Sequence, residues 1–365
     1  MSTTTFDPTK FENVQQAGGI RTGALDYPNP NGGQSCRVAF VNTGAGLRFT
    51  LALDRGGDVV EASYNQLNLA YLTPNDYKPP SHAYHQELEW LRGWPGGLVT
   101  TGGPELMGAP RTDGEDVTSL HGRFSSTPAA VLEVVNPDPQ QGRLDMRIVM
   151  LIRDTRMFGP NLEVRREVRC RLGEPWFAIA DEVTNRGDER SRHALLYHVN
   201  FGYPLLDEGA RFIYQGSGTL HDFRAEHATS TPIEQSKLVA APHESYCAAR
   251  EQLVIAEPVS DPEGNIHIGI LNEQRQLGVS LNYSADALPR LGNWLHFGPR
   301  GSYVAALEPF FGSILGPDND SHPSITAYLE PGESKRYEVE YRICATEAEL
   351  RALAAQDGPL VDSRP

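Results

Sequence analysis

Apolar and polar residues alternate with a period of two along much of the chain. At the C-terminal end Tyr337, Val339, Tyr341 and Ile343 are apolar, with Glu338, Glu340 and Arg342 between them. That pattern predicts a strand with one face in a core and the other toward water. Pro331-Gly332 just before it supplies a turn, since Pro sets φ at the first central position and Gly accepts a positive φ at the second. The apolar run 325–329 precedes that turn, so the two runs predict a hairpin. Similar runs predict strands at 37–42, 47–53, 130–135, 143–152, 161–172, 176–183, 193–199, 266–271, 277–283 and 303–307, with Gly, Pro, Asn and Asp clustered between them. Helical periodicity is scarce. Thr346 and Glu349 have capping-box spacing, and Leu350, Leu353 and Ala354 form an apolar stripe after them, which predicts a terminal helix packed on a sheet edge. Many strands with few helices between them argue for antiparallel sheets rather than βαβ units. No fixed-period repeat is present. The expectation is one large all-β antiparallel sandwich over residues 35–345. An N-terminal arm or added strand (1–34) precedes it, and a C-terminal helix and tail (346–365) follow.

Composition narrows the function. The chain has 365 residues, 39% of them hydrophobic, which is enough for a sizeable core. Its 35 Gly and 27 Pro are scattered, as tight turns require. Asp and Glu outnumber Lys and Arg 47 to 32, a net charge of −15. This field disfavours nucleic acid and anionic membranes as partners, and leaves a neutral small molecule as the least hindered one. None of Cys36, Cys170, Cys247 and Cys344 lies in a C-x-x-C, so thiolate metal sites and thioredoxin-like chemistry have no support. Cys170 and Cys344 sit in strand-like runs as buried fillers. The polar start 1–10 has no apolar h-region and no stretch reaches a membrane span, so a soluble cytoplasmic setting is the default expectation.

Three contexts place a titratable group within an apolar strand or a glycine turn. His198 follows Leu195-Leu196-Tyr197 and precedes a loop opening at Asn200-Phe201-Gly202-Tyr203-Pro204. A buried histidine tied to a carbonyl is the plain alternative, yet a strand end opening into a Gly/Pro loop is where scaffolds present functional side chains. Glu308 ends the run Tyr303-Val304-Ala305-Ala306-Leu307 and is followed by Pro309-Phe310-Phe311. A carboxyl in such surroundings has its pKa raised by desolvation, which suits a general base. His121 lies between Leu120 and Gly122-Arg123, where an ordinary turn histidine is the simpler reading. His82-x-x-His85, with Glu87 and Glu89 nearby, follows Pro79-Pro80 and reads as a solvated loop rather than a metal site. No G-x-S-x-G, Walker loop or G-x-G-x-x-G is present, so hydrolase, NTPase and dinucleotide readings lack their anchors.

At these contexts the chain resembles the aldose 1-epimerase (galactose mutarotase-like) superfamily, closest to its bacterial aldose-1-epimerase-related branch. The resemblance is carried by Gly96-Gly97-Leu98-Val99-Thr100, Leu120-His121-Gly122, Val183-Thr184-Asn185-Arg186-Gly187-Asp188, Tyr197-His198-Val199-Asn200-Phe201-Gly202-Tyr203-Pro204 and Leu307-Glu308-Pro309, in the family's order over roughly residues 35–345. It implies a twisted antiparallel β-supersandwich that interconverts sugar anomers without a cofactor. His198 matches the general acid that protonates the ring oxygen. Glu308 matches the base that deprotonates the C1 hydroxyl, and His121 the second active-site histidine. The family's arginine–asparagine pair before the first histidine is missing, which leaves Arg92 or Arg123 as the cation. Glu244 is nearest in position to the family's sugar-anchoring aspartate. Trp294 offers an apolar wall, with core packing as its plain alternative, and Tyr203 joins the substrate-binding set from the His198 segment.

Two other functions stay open at this point: a carbohydrate-binding protein that has lost catalysis, and a sugar isomerase or lyase using the same acid–base pair on another carbon.

Overall fold

The alternating runs become the strands of two large stacked sheets. The computed structural model describes residues 6–27, 34–81, 86–113, 116–224, 231–248, 250–315 and 327–364. The larger sheet runs, in spatial order, through Gly19–Tyr27, Gln34–Asn42, Leu47–Ala52, Asp58–Tyr64, Val99–Gly102, Leu195–Phe201, Tyr303–Phe311, Arg290–Phe297, Gln252–Pro258, Gly216–Asp222 and Leu360–Asp362. Its neighbours are antiparallel except for the last pair, which is parallel. The second sheet is ordered Ala130–Val135, Asp145–Thr155, Asn161–Arg171, Trp176–Asn185, Ser334–Cys344, Leu277–Ser284, Asn265–Asn272 and Arg211–Ile213.

The main core fills the space between the sheets. The larger sheet contributes Leu195, Tyr197, Val199, Phe201, Ala305 and Leu307, and the second contributes Ile148, Met150, Val164, Phe177, Ile179 and Val339. Phe177 anchors the join, with Phe49 on one side and Tyr341 on the other, both at 4.6 Å between ring centroids. Because side chains alternate across a strand, Leu196 and Phe310 point the other way. There they form a second buried cluster with Leu253, Ile255, Met107 and Ile314. The central strands of the larger sheet are therefore buried on both faces, one by the second sheet and one by loops.

A charged group crosses the main core. Arg166 is fully buried and forks onto Asp181, with Nε to Oδ1 at 2.8 Å and Nη2 to Oδ2 at 2.7 Å. Its Nη1 reaches Asp58 at 3.1 Å, and Nη2 also donates to the Thr101 hydroxyl. Asp58 accepts from the Thr101 amide and hydroxyl, and the Tyr197 hydroxyl donates to Asp181 at 2.7 Å. Asp58, Thr101 and Tyr197 belong to the larger sheet and Arg166 and Asp181 to the second, so the network sets how the sheets sit on each other.

Several expectations change. The Pro331-Gly332 turn forms, with Gly332 at φ 81° and the Glu333 amide donating to the Glu330 carbonyl. It does not close the expected hairpin: Tyr328–Leu329 pairs with Ser191–Arg192, and Ser334–Cys344 lies between Trp176–Asn185 and Leu277–Ser284. The C-terminal helix, Glu347–Ala354, carries the Thr346/Glu349 capping box. It lies across a sheet face rather than an edge, with Leu353 packed on Ile213, Leu271 and Cys344. Gly269 and Gly278 permit this, since a Cβ there would meet Leu353 at 3.0 and 2.7 Å. Gly19–Tyr27 is an edge strand on Gln34–Asn42, and Leu360–Asp362 adds to the opposite edge. Cys36, Cys170 and Cys344 are buried and Cys247 is exposed. No described helix is long and apolar enough to cross a membrane.

Candidate active site

The register of three central strands gathers the chemistry on the outward face of the larger sheet. Leu196 pairs with Phe310 and Val199 with Leu307, so His198 lies directly across from Glu308. On the other flank of Glu308 is Gly292, and Trp294 lies across from Ala306. Gly292 and Ala306 keep the floor around the carboxyl low; a Cβ on Gly292 would stand 3.0 Å from Glu308 Oε2. The expected strand 303–307 continues through Pro309 to Phe311, so Glu308 is not strand-terminal but central. Pro309 is tolerated because it has no N–H to give, and the ladder toward Leu195–Phe201 is interrupted there.

His198 Nε2 and Glu308 Oε1 are 3.2 Å apart. His198 is 6% exposed and Glu308 2%, so water does little to support a charge on either. Burial, and then the nearby Glu251 carboxylate, push the Glu308 carboxyl up to about 8. Burial, and then His121, hold His198 well below the usual histidine range. Both effects favour one shared proton: a protonated carboxyl facing a neutral imidazole near neutral pH.

His121 reaches the same place from a loop. Its ring meets that of His198 edge-on at 5.4 Å, and burial lowers it to about 4. The loop is held by the Gly103 amide donating to the His121 carbonyl and the His121 amide donating to that of Gly108. His121 itself has φ 56° and Gly122 φ 77°. A Cβ on Gly122 would stand 2.3 Å from the Leu106 carbonyl oxygen. Gly122→Ala is therefore expected to cost more than ~1 kcal/mol of stability, because the native φ is incompatible as well as crowded. A thermal midpoint equal to wild type would contradict this account of the loop.

Tryptophans enclose the histidines. Trp294 meets His198 at 5.4 Å, Trp94 meets it at 6.0 Å, and Trp90 meets His121 at 5.3 Å. The Trp94 indole N–H donates to the Thr100 hydroxyl, and that of Trp294 to Glu251 at 2.7 Å. Arg55, fully buried, ties down the turn carrying Trp90 and Trp94 by donating to the carbonyls of Lys78, Gly93 and Ser125.

Four expected residues lie elsewhere. Arg92 is exposed and paired with Glu89. Arg123 pairs with Asp154 and lines a separate cavity of ≈ 1080 Å³. Glu244 is exposed on a short 3-10 turn; the carboxylate beside Trp294 is Glu251. Tyr203 is 62% exposed and stacks under Arg275. None of the four sits in a strand, so strand alternation says nothing about direction: Arg92 is on the short helix Trp90–Gly93, Glu244 on the 3-10 turn, and Arg123 and Tyr203 in loops. His82 and His85 lie outside the described residues, and no metal-binding group of three or more His, Cys, Asp or Glu occurs among the described ones. Glu251, Trp90 and Trp94 were not expected at the site. The signal for Glu251 was an acidic residue opening the apolar run Leu253-Val254-Ile255-Ala256.

Known structures share this architecture. A candidate aldose 1-epimerase from Klebsiella pneumoniae superposes with TM-score 0.79 at 20% identity, covering 95% of this chain and 99% of that one. A galactose mutarotase-like protein from Clostridium acetobutylicum gives TM-score 0.58 at 13% identity, covering 90% and 99%. A galactose 1-epimerase from Lactobacillus acidophilus gives 0.55 at 12%, covering 89% and 98%. A comparison with curated proteins returns no match. At such identities the likeness establishes the all-β galactose mutarotase-like fold. The profile of one family, described only as a domain of unknown function, DUF4432, matches residues 33–343, and the chain belongs to that family.

Proposed function

We propose that this protein interconverts the α and β anomers of an aldose. The observation that carries the reading is the 3.2 Å contact between His198 Nε2 and Glu308 Oε1 on a tryptophan-walled sheet face. Anomer exchange acts on two oxygens bonded to the same carbon. One must lose a proton while the other gains one, so an acid and a base in contact are matched to the task. Moving the shared proton from Glu308 to His198 gives a carboxylate and an imidazolium. The carboxylate takes the proton from the C1 hydroxyl, the C1–ring-oxygen bond breaks, and the electron pair stays on the ring oxygen. His198 protonates that oxygen. Rotation about C1–C2 and closure with the roles reversed give the other anomer, and the pair ends with the one proton it began with. Trp294 offers a flat apolar surface to the C–H face of the sugar.

The test is exchange NMR on freshly dissolved pentoses, hexoses and deoxy-sugars with and without protein. Acceleration of at least one supports the proposal. Saturable binding with no acceleration would assign the site to recognition alone, and proton exchange at C2 would assign it to isomerisation. The pH profile is a second check. Activity requires one proton on the pair, so it should fall above about pH 8 as the Glu308 proton is lost. It should fall again in acid as a second proton enters against the desolvation of His198. A rate that keeps rising through the upper titration would count against the shared proton.

A further inference from the structure

Asn200 stands two residues beyond His198 on the same strand and the same outward face, and is fully buried. Its side-chain amino group donates to the His198 carbonyl at 2.9 Å, the Gly97 carbonyl at 3.1 Å and the Thr100 hydroxyl at 3.4 Å. The two carbonyls accept and never donate, so the amide has one sensible orientation. Oδ1 must point away from them, and there it is buried with no hydrogen-bond partner. His198 Nδ1 is also buried and without a partner, while Nε2 is engaged with Glu308. A committed acceptor and an unassigned ring nitrogen thus lie two residues apart on one face of one strand.

We infer that Asn200 is a positioning residue: its Oδ1 is the acceptor that receives the Nδ1–H of His198 once the imidazolium forms, which requires the tautomer whose Nε2 accepts from Glu308. The inference rests on the proposed role of His198 as proton carrier. A ring with its proton on Nε2 would meet the protonated Glu308 carboxyl donor to donor. In the free site the two atoms are not in hydrogen-bond geometry. The bond forms with the imidazolium, because a charged N–H donates more strongly to a buried acceptor.

The tautomer is read directly from long-range proton–nitrogen spectra of protein labelled with ¹⁵N-histidine, with the His198 signals identified by their loss in His198→Asn. The expected result is the Nδ1–H form in the free protein; the Nε2–H form overturns the inference. Asn200→Ala removes the acceptor. It should move the acid limb of the pH–rate profile downward by about one unit, since the imidazolium loses its partner, with kcat changed more than KM. An acid limb at the wild-type pH overturns the inference as well. If Asn200→Ala does not fold, Asn200→Ser, which cannot reach as far toward Nδ1, is measured in its place with the same expected direction. Failure of the anomer-exchange proposal would show instead as no aldose being accelerated, and the tautomer measurement is indifferent to that.

Discussion

Glu308→Gln slows catalysed anomer exchange by about 10²–10⁴-fold while sugar binding persists. Glutamine keeps the volume beside Gly292 and can still donate toward His198 Nε2, but it cannot take the proton of the C1 hydroxyl. The side chain is buried and central in its strand, and the nearby Glu251 carboxylate is engaged by the Trp294 indole N–H. His198→Asn should lose a similar factor. The double variant should lose little more than either single one, since acid and base act as one unit. Spontaneous mutarotation must be subtracted. A Glu308→Gln protein with the wild-type exchange rate, on a sugar the wild type accelerates, would refute the assignment.

Asp181→Ala lowers folding stability by about 3–5 kcal/mol, the usual cost of stripping one partner from a buried ion pair. Arg166 would keep Asp58 and Thr101 but lose its bidentate acceptor, and the Tyr197 hydroxyl would lose the same oxygen. None of the groups left behind can reach water, since Arg166 and Tyr197 are both fully buried. Replacing Arg166, Asp58 and Asp181 together by apolar residues of similar volume should cost far less than removing Asp181 alone. Urea midpoints of the two variants check both statements, and an Asp181→Ala midpoint at the wild-type concentration would contradict the first.

Strand positions were legible where one face meets water. Asn161–Arg171 and Ser334–Cys344 alternate buried and less buried residues along most of their length, and their sequences alternate with them. Arg290–Phe297 and Gln252–Pro258 were missed because loops or neighbouring strands cover both their faces, which erases the alternation. Val99–Gly102 was missed because Val-Thr-Thr-Gly is short and ends in glycine. At the site, His198 and Glu308 were legible as polar residues in apolar settings, whereas His121 reads locally as an ordinary turn histidine and it and Trp294 enter only with the family resemblance. The direction of Arg92, Arg123, Glu244 and Tyr203 was not legible, because outside strands a side chain's aim has no period of two to reveal it. Arg123 turns toward Asp154 and Arg92 toward Glu89, choices set by charge after folding.

The parity of the central strands gives the chain two independent inheritances. Along Leu195–Phe201 the odd positions hold the sheets together and the even ones, Leu196, His198 and Asn200, face outward; along Tyr303–Phe311 Ala306, Glu308 and Phe310 do the same. A lineage can rewrite the even letters without disturbing the odd ones. Divergent reactions can then arise on one scaffold by change at the outward positions that meet the site, His198, Asn200 and Glu308, while Leu196 and Phe310 keep packing the second buried cluster. Kinship among such proteins is best sought by reading alternate residues of these strands as two separate texts, one conserving architecture and the other recording chemistry.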